Sequence, residues 1–314
     1  MSLFAKFRTG IISIGAFALG VAFQRKLHLQ ADVATTTDVV DSPGGGQQRP
    51  LMQQDSPESI IAMIKEGGGL LGELDSPLIT KHGIPSISSL RAYPNFLVSY
   101  DQRLRIPTWV LERLTAHSLS EREERSSRKG IDFFEDKSFH RYFRASNDDY
   151  KGSGYDRGHL AAAGNYRSSQ EHTKATFVLS NIAPQVGRGF NRDKWNELEK
   201  YVRGRVRQFG EAWIITGPVF LPTREPANGK MYVKHEVIGK NNVAVPTHFF
   251  KVILYQKEPN SGLFQMECFL MPNADISASQ PLKDFRIDPT VVERAAGILF
   301  FNAIPRNRIK VHHV

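Results

Sequence analysis

Within the run Tyr155-Asp156-Arg157-Gly158-His159 stand a carboxylate, a guanidinium and a histidine, and Asn191 and Glu199 follow on one downstream segment. Together these are the groups that hydrolysis of a phosphodiester with a single metal ion needs. A histidine can deprotonate water near neutral pH. A neutral amide oxygen can hold a hard divalent cation that keeps most of its own waters. A carboxylate one layer further out can orient such a water. An arginine fork matches the geometry of a phosphate.

Particular elements must bring these groups together. Tyr155 to Leu160 reads as a strand that delivers His159, with Gly152, Gly154 and Gly158 permitting unusual backbone angles and the close approach of a ligand. Asp156 is expected to hold the loop or to orient Arg157. The run Ala175-Thr176-Phe177-Val178-Leu179-Ser180 is β-rich and weakly alternating, so it reads as the second strand, with Asn181 at its end as a turn residue. A helix is expected to start near Asn191, because Trp195, Leu198, Val202 and Val206 recur at three- and four-residue spacing. Taken alone, Asn191 would serve as its N-cap. Glu199 lies about 12 Å further along the axis and within a quarter-turn, too far to share a ligand shell with Asn191. Its side chain would point back toward the helix start, or pair with Arg203 one turn on. Arg188 and Arg192 flank Asn191 and suit a backbone phosphate, whereas Lys194, Lys200, Arg203, Arg205 and Arg207 read as a solvated face.

These motifs, in this order, resemble the DNA/RNA non-specific endonucleases that carry a ββα-metal finger. The likeness rests on Asp156-Arg157-Gly158-His159, on Leu179-Ser180-Asn181-Ile182-Ala183-Pro184-Gln185, on Asn191 with Trp195 and Leu198-Glu199, and on Asn242 to Lys251. It runs from about Ile61 to Arg306. Asp156 before Arg157 sets the chain with the endonuclease branch rather than the exonuclease-like mitochondrial one. The resemblance implies an α+β fold, a central antiparallel-rich sheet flanked by helices, with the finger as active site. It implies a magnesium-dependent endonuclease, manganese being the alternative ion, that cuts DNA and RNA with low sequence specificity and leaves 5′ phosphates. His159 would be the base, Arg157 a phosphate contact, Asn191 the metal ligand and Glu199 the holder of its waters. Arg188 and Arg192 would bind substrate, and Asn181 would help to shape the site. The family further implies a homodimer, and roles in mitochondrial DNA turnover and in DNA fragmentation during cell death, with relocation to the nucleus. A non-catalytic nucleic-acid-binding protein on the same fold is the competing reading.

Bulk properties are consistent with this. The chain has 314 residues and a formal net charge of +9, which concentrates polyanions near its surface. Cys268 is its only cysteine, so neither an internal disulfide nor a multi-thiolate zinc site is available. No Gly-x-Ser-x-Gly elbow and no Walker loop is present, which disfavours a serine hydrolase and an ATP-driven enzyme. Residues 1–30 hold the apolar run Ile11 to Phe23 between Lys6, Arg8 and Arg25, Lys26, with no acid before Asp32. That pattern reads as a mitochondrial targeting segment able to associate with the inner membrane, bound for that membrane or the intermembrane space. Residues 31–57 are too polar and Gly/Pro-rich to order themselves and read as a linker, leaving 58–310 as the catalytic domain.

Overall fold

Two runs expected to pair as strands, Phe96 to Tyr100 and Pro107 to Leu114, do so in β2 (Phe96–Asp101) and β3 (Ile106–Thr115). The computed structural model describes residues 81–83, 89–120, 130–256, 258 and 261–312. The targeting segment, the linker, the expected helix from Glu58 and nearly all of the charged stretch from Ser120 to Lys129 lie outside those residues. Among the described residues no helix is long and apolar enough to cross a membrane.

Two further strands, β4 (Tyr155–His159) and β5 (Ile182–Val186), form a separate antiparallel pair. A seven-stranded sheet is built from β1 (Leu90–Tyr93), β2, β3, β6 (Glu211–Val219), β7 (His248–Gln256), β8 (Phe264–Pro272) and β9 (Ile309–Val311), in that spatial order. Every pairing is antiparallel except that of β8 with β9. Thr216-Gly217-Pro218 lies toward the end of β6. Gly217 is required there because a Cβ would meet the Phe250 ring at 2.5 Å and the Thr108 carbonyl oxygen at 2.6 Å.

Alternation along β7 shows why the sheet is buried on both faces. Phe249, Ile253 and Tyr255 join one apolar cluster with Leu198, Val202 and Val206 of helix α1 (Asn196–Phe209). Phe250, Val252 and Leu254 point to the opposite face and are equally buried. Helix α2 (Pro289–Ala296) touches β6 and β8. Cys268 lies in β8 opposite Val252, fully buried, and burial pushes its thiol well above the ordinary range, as for an inert core residue.

Charged groups interrupt the α1 face of the sheet. Glu112 on β3 is fully buried and accepts hydrogen bonds from Asn165 (2.9 Å) and the Tyr166 hydroxyl (2.7 Å). Lys251 on β7 donates to the Thr216 hydroxyl at 2.5 Å and lies 4.9 Å from the centre of the Trp195 ring. Desolvation raises the Glu112 pKa and lowers that of Lys251, and each charge partly offsets the shift of the other. Removing one member leaves a buried charge without its counter-charge. Lys251→Ala is therefore expected to destabilise by about 3–5 kcal/mol in urea unfolding. The double variant Glu112→Gln/Lys251→Met should recover much of that loss.

Candidate active site

The finger begins as expected with β4, but its second strand comes later than the sequence suggested. Gln170–Ala175 is a short helix and Leu179–Asn181 a single 3-10 turn, so Ala175 to Ser180 is no strand. Thr176 turns its hydroxyl onto the Thr173 carbonyl, and the Asn181 amide donates to the Thr176 carbonyl at 2.8 Å. These bonds favour a compact turn over an extended run. The strand is Ile182–Val186, running antiparallel to β4 with His159 opposite Ile182 and Arg157 opposite Pro184. A proline is tolerated because β5 is an edge strand. Asn273 covers that edge, accepting from the Val186 amide at 2.8 Å and donating to the Pro184 carbonyl at 3.1 Å.

After β5 the chain enters a wide helical turn, Gly187–Trp195, that runs on into α1. Arg188 and Gly189 lie outside helical geometry, so regular helix starts just before Asn191. Gly189 has φ +78, and a Cβ there would meet the Ile276 backbone nitrogen at 2.7 Å. Gly158, by contrast, keeps ordinary strand angles. It is needed because the buried Gln185 side chain crosses it, 2.0 Å from where a Cβ would stand.

Strand and helix meet in an open cleft of about 250 Å³ lined by His159, Asn191 and Glu199, with Arg157, Arg167, Arg192 and Arg203 on its walls. His159 is 8% exposed and lies between aromatic rings, 5.3 Å from that of Phe133 and 4.8 Å from that of Phe177. Packing thus limits its ring to few orientations.

Asp156 joins the two elements. Its Oδ2 accepts from Asn191 Nδ2 at 2.9 Å and from Arg192 Nε at 2.8 Å, and its Oδ1 accepts from Arg192 Nη2 at 2.5 Å. The hydrogen bonds from Arg192, then that from Asn191, hold its carboxyl below the usual range against the opposing effect of burial. Asp156 was expected to hold the loop or to orient Arg157, and the structure does not bear out the second role. Arg157 donates instead to Asn147 Oδ1 at 2.8 Å and lies 4.4 Å from the centre of the Phe133 ring. Nor does Asn191 act as an N-cap, since its amide nitrogen is committed to Asp156 and Asp193 receives the Gly189 amide.

The remaining candidates separate. Arg192 reaches the cleft wall while bound to Asp156, and its side chain is 68% exposed. Arg188 is exposed but does not line the cleft. Asn181, expected as a turn residue that helps to shape the site, ends a 3-10 turn and makes no direct approach to the cleft lining. It is fully buried, accepts from the Ala161 amide at 2.9 Å and donates to the Ala161 and Thr176 carbonyls, so its side chain braces the loop behind His159. Two arginines had been passed over. Arg203, read as a pairing partner for Glu199 or as part of a solvated face, donates to Asn165 Oδ1 at 3.1 Å and is half-buried at the cleft. Burial lowers its pKa while Glu199 opposes that shift. Arg167 follows Asn165 and Tyr166 in a loop with no motif of its own. Its only signal was the type of residue.

The donor set fits a hard divalent cation. Among the described residues no three His, Cys, Asp or Glu side chains cluster as a metal cage. One amide oxygen is presented instead. Because Asp156 can only accept, the Asn191 nitrogen must face it, which leaves Oδ1 as the atom for the cleft. A single neutral oxygen beside Glu199 suits an ion that keeps most of its waters.

Asp156 supplies a pH test. Its folded pKa is depressed, so its ion pair stabilises fully above the ordinary carboxylate range, near pH 4, and loses that effect as pH falls through the lower folded value. Asp156→Asn is expected to flatten the fall of the urea midpoint below about pH 4. At neutral pH the same change should impair cleavage, because an amide in place of the carboxylate no longer fixes which atom Asn191 turns to the cleft.

Residues 75–307 match the family model for the DNA/RNA non-specific endonucleases. Endonuclease G, mitochondrial, of Caenorhabditis elegans is 46% identical over 241 residues, 76% of this chain and 77% of that protein. The Bos taurus protein of the same name is 42% identical over 295 residues, covering 93% and 92%. Nuclease EXOG, mitochondrial, of Danio rerio is 39% identical over 233 residues, covering 74% and 66%. The crystal structure of an EndoG/EndoGI complex, described as showing the mechanism of EndoG inhibition, contains a chain matching at TM-score 0.71 and 48% identity over 74% of this chain and 94% of that one. With the cleft formed where the motifs predict it, and with mitochondrial relatives similar over most of their lengths, the chain belongs to the DNA/RNA non-specific endonuclease family as a metal-dependent mitochondrial nuclease.

Proposed function

We propose that this chain hydrolyses the phosphodiester backbone of DNA and RNA at the cleft between β4 and α1, leaving 5′ phosphates. The observation that carries the reading is the Asp156 clamp, which turns the Asn191 amide oxygen toward a cleft shared with His159 and Glu199. His159 takes the proton of the attacking water and passes it to solvent. Asn191 would hold a magnesium ion, with manganese as substitute, and when bound that ion would supply Lewis-acid stabilisation of charge on the phosphate. Glu199 accepts hydrogen bonds from water beside Asn191 and so orders the solvent there. Arg157 and Arg192 hold the phosphate, and Arg203 approaches from α1. Low sequence specificity follows if most contacts go to the backbone rather than to base edges.

The family resemblance supports a homodimer as the working form. The basic-flanked apolar run Ile11 to Phe23 supports residence at the inner membrane or in the intermembrane space. The competing reading, binding without cleavage, is disfavoured by the presence of His159, Asn191 and Glu199 in one cleft.

Supercoiled plasmid and single-stranded RNA are the substrates for the test. The wild-type chain should nick and linearise the plasmid and degrade the RNA with magnesium, and a chelator should stop both. His159→Ala and Asn191→Ala should each lower the rate by about a hundredfold to ten-thousandfold with substrate binding retained. Equal cleavage by all three proteins would show that the residues are wrongly assigned.

A further inference from the structure

Beyond the cleft, the turn His140-Arg141-Tyr142-Phe143 exposes two large aromatic rings with no partner element over them. Tyr142 is 60% exposed and Phe143 43% exposed. Arginines surround them. The Arg141 guanidinium lies 5.0 Å from the centre of the Tyr142 ring, and Arg105 donates to the Tyr142 carbonyl at 3.1 Å and to the Arg103 carbonyl at 2.9 Å. The His140 ring meets those of Tyr142 (4.7 Å) and Phe143 (5.5 Å). Three of the acids nearest in the chain are engaged elsewhere. Glu135 pairs with Arg144, Asp136 receives Tyr93 and Ser138, and Asp101 caps the Arg103 and Leu104 amides.

The turn is also continuous with the cleft. Four residues after Phe143, Asn147 accepts from Arg157 Nη1 at 2.8 Å and donates to the Phe133 carbonyl at 2.7 Å, and both Arg157 and Phe133 line the cleft. A surface of exposed rings interleaved with cations, joined to a phosphate-binding cleft, has the chemistry of a single-strand track. Bases stack on the rings while guanidinium groups follow the backbone.

We propose that Tyr142 and Phe143, with Arg105 and Arg141, form a stacking platform that binds unpaired nucleotides of a strand whose scissile phosphate lies in the cleft. The proposal rests on the nuclease reading above and extends it to substrate form. Long single strands and frayed or gapped duplexes would engage the platform. Short oligonucleotides would fill only the cleft.

The test uses full-length protein in the His159→Ala background, so that binding is read without cleavage. Fluorescence anisotropy compares a short single-stranded oligonucleotide of about 4 nucleotides with one of about 20, the latter long enough to fill more than one aromatic-lined site. Tyr142→Ala/Phe143→Ala is expected to weaken binding of the long strand by at least about fivefold and to leave the short one unchanged. Both residues are exposed, so folding should not be disturbed. Arg105→Ala/Arg141→Ala should lower the salt-dependence slope for the long strand by about 1.4, two phosphate contacts at about 0.7 each. With His159 restored, cleavage of the short oligonucleotide should match wild type in both double variants. Equal long-strand affinity for parent and aromatic variant overturns the platform, as does an equal loss on both lengths, which would mean that the cleft itself had been disturbed. Absence of binding and cleavage in the His159-containing parent is a different result. It would overturn the nuclease reading.

Discussion

The site depends on one carboxylate that can only accept. Asp156 leaves β4 and binds across to the first helical turn, where Asn191 and Arg192 both donate to it. Three properties follow from that contact. The finger strand is tied to the helix, the Asn191 amide is turned in one sense only, and an arginine otherwise free to swing is kept at the cleft wall. Gly187 completes the arrangement, because its bare Cα lets the chain pass beside Asp156 where a Cβ would stand 3.0 Å from Oδ2.

A clamp of this kind needs a firm footing, and buried polar groups rather than apolar packing alone provide it. Asn181 closes the loop between the finger strands with three backbone hydrogen bonds, and Asn273 fastens the outer edge of β5. Beneath them, Glu112 receives Asn165, whose oxygen in turn receives Arg203 from α1. The sheet therefore reaches the cleft through a chain of directional contacts. Directional contacts specify an orientation, whereas apolar burial specifies only proximity.

These polar contacts explain which parts of the site were legible in the sequence. The helix was read from Trp195, Leu198, Val202 and Val206 because burial leaves a period, and all four are buried. The His159 strand was placed by its motif and not by any period, for its burial does not alternate. The second finger strand was misplaced because Ala175 to Ser180 carries strand-forming residue types, while the true strand holds Pro184. Only its place at an edge makes that proline acceptable. Gly158 was read as a backbone device when its role is to make room for Gln185, a residue 27 positions away. Asn181, Asp156 and Arg203 share one difficulty. An amide, carboxylate or guanidinium has the same type whether it faces a ligand or a carbonyl, and only the tertiary structure chooses its partner.

The distribution of charge around the clamp accounts for what the cleft selects. Arg157, Arg167, Arg192 and Arg203 stand on its walls, with Glu199 and, behind it, Asp156 as the nearby acids. Arg192 is offset directly by Asp156, and Glu199 opposes the burial of Arg203. Among the described residues Arg157 rests on Phe133 with a neutral amide as its hydrogen-bond partner, and it therefore keeps most of its attraction for an anion. An arginine stacked on a ring is oriented without being neutralised. Arg157 lies two residues from His159 on the same strand, so on the proposed reading a phosphate that it drew in would also be brought to the histidine. A backbone phosphate is common to every nucleotide, and this capture would operate on DNA and RNA alike.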